Sequence, residues 1–249
     1  MRASFLTVVL ASAACGAPAA FAQSRAPNLY VSLTLANDYR SRGLSALESG
    51  ASWQIGADYE HASGFFAGVL IANVDYALKP PYGNPREQVV DYYAGYSFGQ
   101  RKWKFNVALG GYEYPDMSVD YGYREWSFGA RLMNRMFYTA SYTEDLYSSA
   151  YSAWHHELGM AQPLPWDLEL SAALGQVRTD LVAHGGYTHW NIGISKVLKR
   201  AGLDLRFHEA SLDQVSYLGN PGGDHWVLSV SYGFAPGSRR SEQPAVARR

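Results

Sequence analysis

The feature that most constrains this chain is a hydrophobic period of two that recurs from about residue 28 to Phe234. Leu29, Val31, Leu33 and Leu35 share one face, while Asn28, Tyr30, Ser32 and Thr34 take the other. Ala51, Trp53, Ile55, Ala57 and Tyr59 oppose Ser52, Gln54, Gly56, Asp58 and Glu60. Trp103, Phe105, Val107 and Leu109 oppose Lys102, Lys104 and Asn106. Trp166, Leu168, Leu170, Ala172 and Leu174 oppose Asp167, Glu169 and Ser171, and Leu203, Leu205 and Phe207 oppose Asp204, Arg206 and His208. Successive side chains of a strand point to opposite faces, so each segment has one apolar face and one polar, partly charged face. After the leader, no apolar run is long enough for a transmembrane helix.

The alternation predicts twelve strands, over 28–37, 50–60, 65–76, 87–98, 102–114, 121–132, 135–145, 151–161, 166–178, 186–197, 201–211 and 224–234. The segment from Phe65 carries the weakest signal, because both of its faces are largely apolar. Connections alternate in length. Those after the even strands are short: His61–Gly64, Gly99–Arg101, Met133–Asn134, Gln162–Pro165 and Leu198–Arg200. The odd ones, such as Ser41–Ser49, Ala77–Arg86 and Ser211–Gly223, are longer and rich in Gly, Pro and Asp. Short periplasmic turns alternating with longer outer loops belong to transmembrane barrels, with an even strand number and both termini in the periplasm. A periplasmic soluble all-β protein is the competing reading, but it has no reason to keep that rhythm. A sheet exposed to lipid must also close, since each unpaired edge amide costs several kcal/mol in hydrocarbon. Twelve strands spaced ~4.8 Å apart and tilted by ~40° close into a cylinder roughly 24 Å across, with a bore on the order of 10 Å or less.

The N-terminus places this barrel in an envelope. Met1-Arg2, the apolar Phe5–Ala11 and the small-x-small Ala20-Phe21-Ala22 form a secretory signal peptide, residues 1–22. Cys15 is the only cysteine and falls inside it. Lipidation there is disfavoured by Ser12, where an aliphatic residue is wanted. The mature chain then has neither a disulfide framework nor a thiolate metal site. Net charge is −1, and loss of Arg2 makes it −2, so no basic excess exists to bind nucleic acid. With 19 Tyr and 7 Trp but only 17% charged residues, the composition suits a lipid-facing wall with aromatic girdles. The expected location is therefore the outer membrane of a Gram-negative bacterium, as a monomer in contact with lipid and lipopolysaccharide.

Trp226, Leu228, Val230, Tyr232 and Phe234 alternate without a break against Ser229, Ser231 and Gly233. Such an aromatic-terminated last strand resembles the signal read by the barrel assembly machinery. The chain then continues as a Pro- and Arg-rich tail, 235–249, with no periodicity and an expectation of disorder. The barrel domain is thus assigned to 23–234.

After the first strand the sequence reads Asn37-Asp38-Tyr39-Arg40-Ser41-Arg42-Gly43-Leu44-Ser45, then Tyr59-Glu60-His61-Ala62-Ser63-Gly64-Phe65-Phe66-Ala67-Gly68. Together with Asn73–Tyr76, Asp91–Tyr96 and Tyr112-x-Tyr114-Pro115, this resembles the TorF-family porins, also called the Gcw_chp family, most strongly over about 30–130. The resemblance implies a small outer-membrane barrel and little about chemistry.

Candidate functional residues follow from the polar faces. Arg40 and Arg42, beside Asp38, are either a charged constriction selecting anions or part of an Arg–carboxylate network bracing wall and loop. Tyr39 and Gly43 are expected to shape the turn. Asp58, Glu60, Asp91, Lys102, Lys104, Glu125, Arg131, Glu157, Asp167, Glu169, Asp204 and Arg206 are expected to face inward, either lining a water-filled pore or forming a salt-bridged plug. His155-His156-Glu157 is not a metalloprotease motif, and on a strand the two histidines point to opposite sides. No metal, no cofactor and no catalytic set are expected. His61 and Ser63 have a suitable Ser–His spacing but fall at a short turn, the wrong end for a lipid hydrolase. Tyr92, Tyr96, Trp103, Tyr112, Tyr142, Trp166, Trp190 and Trp226 are expected in the headgroup zones, and Tyr82 or Tyr217 could stack on a ligand. The leading expectation is a porin-like channel for small hydrophilic solutes. A closed barrel with a structural or surface role is the alternative, and an outer-membrane hydrolase comes third.

Overall fold

The structure, a computed structural model, describes residues 28–47, 50–75, 87–100, 102–115, 119–182, 185–212 and 224–234. The signal peptide, the tail, Tyr82, Tyr217 and Gly222-Gly223 lie outside the described residues. Strand β1 (Asn28–Ala36) runs into a small hairpin of β2 (Arg40–Ser41) and β3 (Leu44–Ser45). The chain continues through β4 (Ser52–Glu60), β5 (Phe65–Val74), β6 (Glu87–Phe98), β7 (Trp103–Glu113), β8 (Tyr123–Leu132) and β9 (Met136–Thr143). It ends with β10 (Ala153–Leu164), β11 (Leu168–Thr179), β12 (Gly186–Leu198), β13 (Ala201–Ala210) and β14 (His225–Phe234). Apart from β2 and β3, every strand pairs antiparallel with its chain neighbours in one closed barrel of twelve. β1 pairs with β4 on one side and β14 on the other, from Val31 opposite Phe234 to Ala36 opposite Ser229. Asn37 extends that seam, its side chain donating to Trp226 O and accepting from Leu228 N.

Side-chain parity follows the period of two. Leu33, Ile55, Val107, Leu174 and Leu228 are 44–62% exposed on the outer face, and an apolar belt of this kind runs round the barrel. A water-soluble monomer does not expose such a surface, whereas hydrocarbon requires it, with every backbone group paired in the ladder. Aromatic rings gather at its two margins: Trp126, Trp154, Trp190 and Trp226 toward the long loops, Tyr96, Phe98, Trp103 and Tyr232 toward the short turns.

Three expectations change. β10 runs on to Leu164, paired with Leu168, so Trp166 and Asp167 sit in a turn at positive φ rather than on a strand. Pro163 is tolerated because β9 ends opposite Met160, so there the strand pairs on one side only. Lys102 likewise lies in a turn and is exposed rather than lumenal. Tyr112 is buried inside the barrel, stacked on Tyr123 with centroids 4.4 Å apart, because it shares the parity of Lys104 rather than that of Trp103. The doubly apolar β5 forms a regular strand. Its inward Ala72 and Val74 are almost fully buried, because the segment after β1 folds into the lumen against them.

Candidate functional site

That segment, 37–47, is the most distinctive feature of the interior. Arg42 and Gly43 both take positive φ, 51° and 82°, and close a two-residue turn between Ser41 and Leu44. The mirror-image turns, types I′ and II′, match the twist of a two-residue hairpin; positive φ at both central residues is the type I′ pattern, and glycine at the second position makes it cheap. Asp38 clamps the base: one carboxylate oxygen accepts from Ser45 Oγ at 2.6 Å and the other from Arg40 Nε at 2.8 Å. Arg40 Nη1 also donates to Gly43 O at 3.0 Å. Ala46 O accepts from Asp75 N, tying the hairpin to the end of β5.

The hairpin leaves the wall between β1 and β4 and reaches its far side. Arg42 Nη2 meets Glu125 Oε2 of β8 at 2.5 Å, with both side chains buried. Burial by itself works against the Arg42 charge. Glu125, with Tyr123 and Tyr112, outweighs it and holds the guanidinium well above its ordinary pKa. Gly43 packs so tightly on β12 and β13 that a Cβ there would lie 2.5 Å from His189 Cβ and 3.1 Å from Ala210 Cβ. Tyr39, Ala46 and Leu47 join Ala72, Val74, Val89, Tyr112, Tyr114 and Tyr121 in one buried cluster, and Leu44 packs against Val177, Tyr187 and Ala210 in another. Tyr39 therefore anchors the hairpin to the wall instead of shaping its turn. Arg40 thus pairs with Asp38 inside the hairpin, and Arg42 reaches across the lumen to Glu125.

The remaining inward charges differ in exposure. Near the long loops the inward side chains are buried, among them Asp91, Glu125, Thr143, His155, Thr179 and His189. Asp91 lies within electrostatic reach of Arg42 and Glu125. Asp91 Oδ1 and Glu125 Oε1 have no hydrogen-bond partner among the described residues. Toward the short turns Asp58, Glu60, Lys104, Arg131 and Glu169 are partly exposed on the inner wall, while Asp204 and Arg206 at a similar level are buried. Asp58 accepts from Tyr93 Oη. Arg206, buried on β13, donates to Asp204 through Nε and Nη2 at 3.2 and 3.0 Å, to Asn191 at 2.7 Å and to Ser171 at 2.8 Å.

His156 faces outward beside Trp154 and bonds Tyr138 Oη at 2.8 Å, while His155 faces inward, as strand parity requires. Yet His155, Glu157 and His189, which no spacing in the sequence joins, place one ligand atom each within 4.8 Å of one another. His189 lies two strands away from His155, and no linear spacing rule joins them. His61 Nδ1 and Ser63 Oγ are hydrogen-bonded at 2.8 Å in the turn between β4 and β5, where both also serve backbone amides. On β14, Trp226, Leu228, Val230 and Tyr232 face outward, and Phe234 closes the ladder opposite Val31.

A closed antiparallel ladder, an apolar belt with aromatic margins and a polar bore entered by a folded hairpin define a membrane-spanning β-barrel of the outer-membrane fold class. The chain belongs to the Gcw_chp family, bacterial proteins of unknown function, whose profile matches residues 22–232. No curated protein matches the sequence. Among solved structures, a chain from work on in-meso crystallization of membrane proteins aligns with a TM-score of 0.54 at 10% identity, covering 87% of each chain. The KdgM porin aligns at 0.49 and 8% identity, over 84% of this chain and 99% of that one. The COG4313 outer membrane channel from Pseudomonas putida F1 aligns at 0.49 and 10% identity, over 86% and 97%. At such identities the likeness concerns the fold alone.

Proposed function

We propose that this protein is a narrow outer-membrane channel for small hydrophilic solutes, constricted by the 37–47 hairpin. The observation that carries the reading is the inner wall: charged residues of both signs stay partly exposed on it toward the short turns, and the hairpin crosses the lumen to reach Glu125 of β8. Arg42 and Glu125 meet across the lumen, and in this reading their charges select solutes there. Water-filled lumens need polar inner walls, and this wall carries Asp58, Glu60, Lys104, Arg131 and Glu169, with Phe66 and Phe137 between them. The resemblance to the TorF-family porins supports the barrel in this reading and says little about its chemistry. In it the protein is a monomer, exported by its signal peptide, inserted through recognition of β14, with both termini in the periplasm and the long loops facing lipopolysaccharide. It is not an enzyme: the hydrogen-bonded His61–Ser63 pair lies in a short turn, away from the outer leaflet.

The tight seating of Gly43 favours a second reading, a barrel closed by its hairpin. Single-channel recording distinguishes the two, on refolded protein whose barrel is verified by a heat-modifiable gel shift. The wild type should show small discrete steps. Gly43→Val, which cannot keep its turn or its contact with His189, should show larger ones. A silent wild type with a conducting Gly43→Val barrel would move the conclusion to the closed form. Silence from both folded proteins would overturn the channel.

A further inference from the structure

We propose that His155, Glu157 and His189 form a lumenal binding site for a divalent transition ion, with Zn²⁺ as its representative. Strand parity puts His155 and Glu157 of β10 on the same inner face, two residues apart. His189 stands on β12, one strand further than a direct neighbour. At ~4.8 Å per strand its backbone is roughly 10 Å away, too far for an imidazole beyond an intervening side chain. The intervening residue is Gly175, in register with Glu157 on one side and His189 on the other. The His189 ring lies across it, so closely that a Cβ at Gly175 would stand 2.2 Å from Nε2. That gap lets the ring cross β11, and His155 Nε2 and His189 Nε2 come to 3.1 Å. Two imidazole nitrogens bound to one tetrahedral zinc at ~2.0–2.1 Å stand about 3.3 Å apart. The pair is therefore nearly preset for an ion, with the Glu157 carboxylate in the same group.

Chemistry selects the ion class. Two imidazoles and one carboxylate suit Zn²⁺, Cu²⁺ or Ni²⁺ rather than Ca²⁺ or Mg²⁺, which want more oxygens. Three protein ligands leave a position for water or a solute group. Both histidines are 3% exposed, while Glu157 is more open to the lumen and gives the ion its approach. Arg42 and Arg206 lie within electrostatic reach, but Glu125 and Asp204 pair with them, which limits their repulsion of a cation. The plain alternative is a hydrogen bond between two neutral imidazoles. This inference does not rest on conduction, since a closed barrel would hold the ion equally well.

The test titrates ZnCl₂ into tag-free, refolded mature protein by calorimetry. One ion per barrel is expected. His155→Ala or His189→Ala should weaken binding by about 100-fold or more, Glu157→Gln by less, and the outward-facing His156→Ala should leave it unchanged. Equal affinity in the wild type and a folded His155→Ala/His189→Ala barrel would overturn the site. A measurement without variants guards against misfolding: Cu²⁺ bound to wild type should give an electron paramagnetic resonance spectrum with coupling to two imidazole nitrogens. A spectrum with oxygen ligands alone would overturn the proposal.

Discussion

Replacing Arg42 by alanine takes the cation from a place where two carboxylates are already crowded. Glu125 is 1% exposed, its Oε2 accepts from Arg42, and its Oε1 has no partner among the described residues. Asp91, also buried, lies within reach of both. Breaking one side of a buried, hydrogen-bonded pair typically costs about 3–5 kcal/mol, because the stranded charge has lost its solvent and its partner together. Arg42→Ala should fall in that range, since Glu125 is fixed in the wall and cannot leave the lumen. Glu125→Ala should cost less, because the long Arg42 side chain can turn its guanidinium toward lumen water while the hairpin stays packed. The double variant should cost less than the two single changes added together, leaving a coupling of about 1–3 kcal/mol. The assay is a double-mutant cycle on urea unfolding in lipid vesicles, followed by tryptophan fluorescence, with channel recordings on the same proteins. Additive single effects below about 1 kcal/mol would refute the argument, because they would show that the pair is solvated and not a cross-lumen latch.

Two further outcomes follow from the same wall. Arg206→Lys keeps the charge but loses the planar fork that serves Asp204, Asn191 and Ser171 together, so unfolding should become easier by about 2 kcal/mol; an unchanged urea midpoint would mean that charge alone matters there. Leu170→Arg or Val107→Arg, on the lipid face, should cost about 2–4 kcal/mol and cut membrane yield, whereas Ser171→Ala should cost about 1 kcal/mol because Arg206 keeps its other partners; equal yields for all three would refute the facing assignment.

Much of the wall was legible in the chain before folding. An extended backbone alternates its side chains whatever surrounds it, so Leu33, Val107 and Leu228 could be assigned to the outer face and Asp58, Glu125 and Arg206 to the inner one by counting alone. Closure followed from the cost of an unpaired edge in hydrocarbon. Counting failed where the period was interrupted. Trp166 and Asp167 continue the alternation of Leu168 and so resemble strand, and only the Leu164–Leu168 pairing shows the turn between them. Tyr112 illustrates the opposite error: parity already placed it inside, but a composition rule about aromatic girdles pulled it to the surface.

Strand parity and lipid exposure are local and periodic constraints, and they prescribe a twelve-stranded barrel with an apolar outside and a mixed-charge inside. How that inside is used depends on the closed fold. Arg42 and Glu125 are 83 residues apart, and His155 and His189 are 34 apart. Neither separation follows a repeat. They meet because closure of the ladder brings β8, β10 and β12 around one lumen, and because glycines at 43 and 175 leave room for a hairpin tip and an imidazole to cross it. Contacts across a bore depend on the register of every intervening strand, a sum over the whole sheet that no single segment carries.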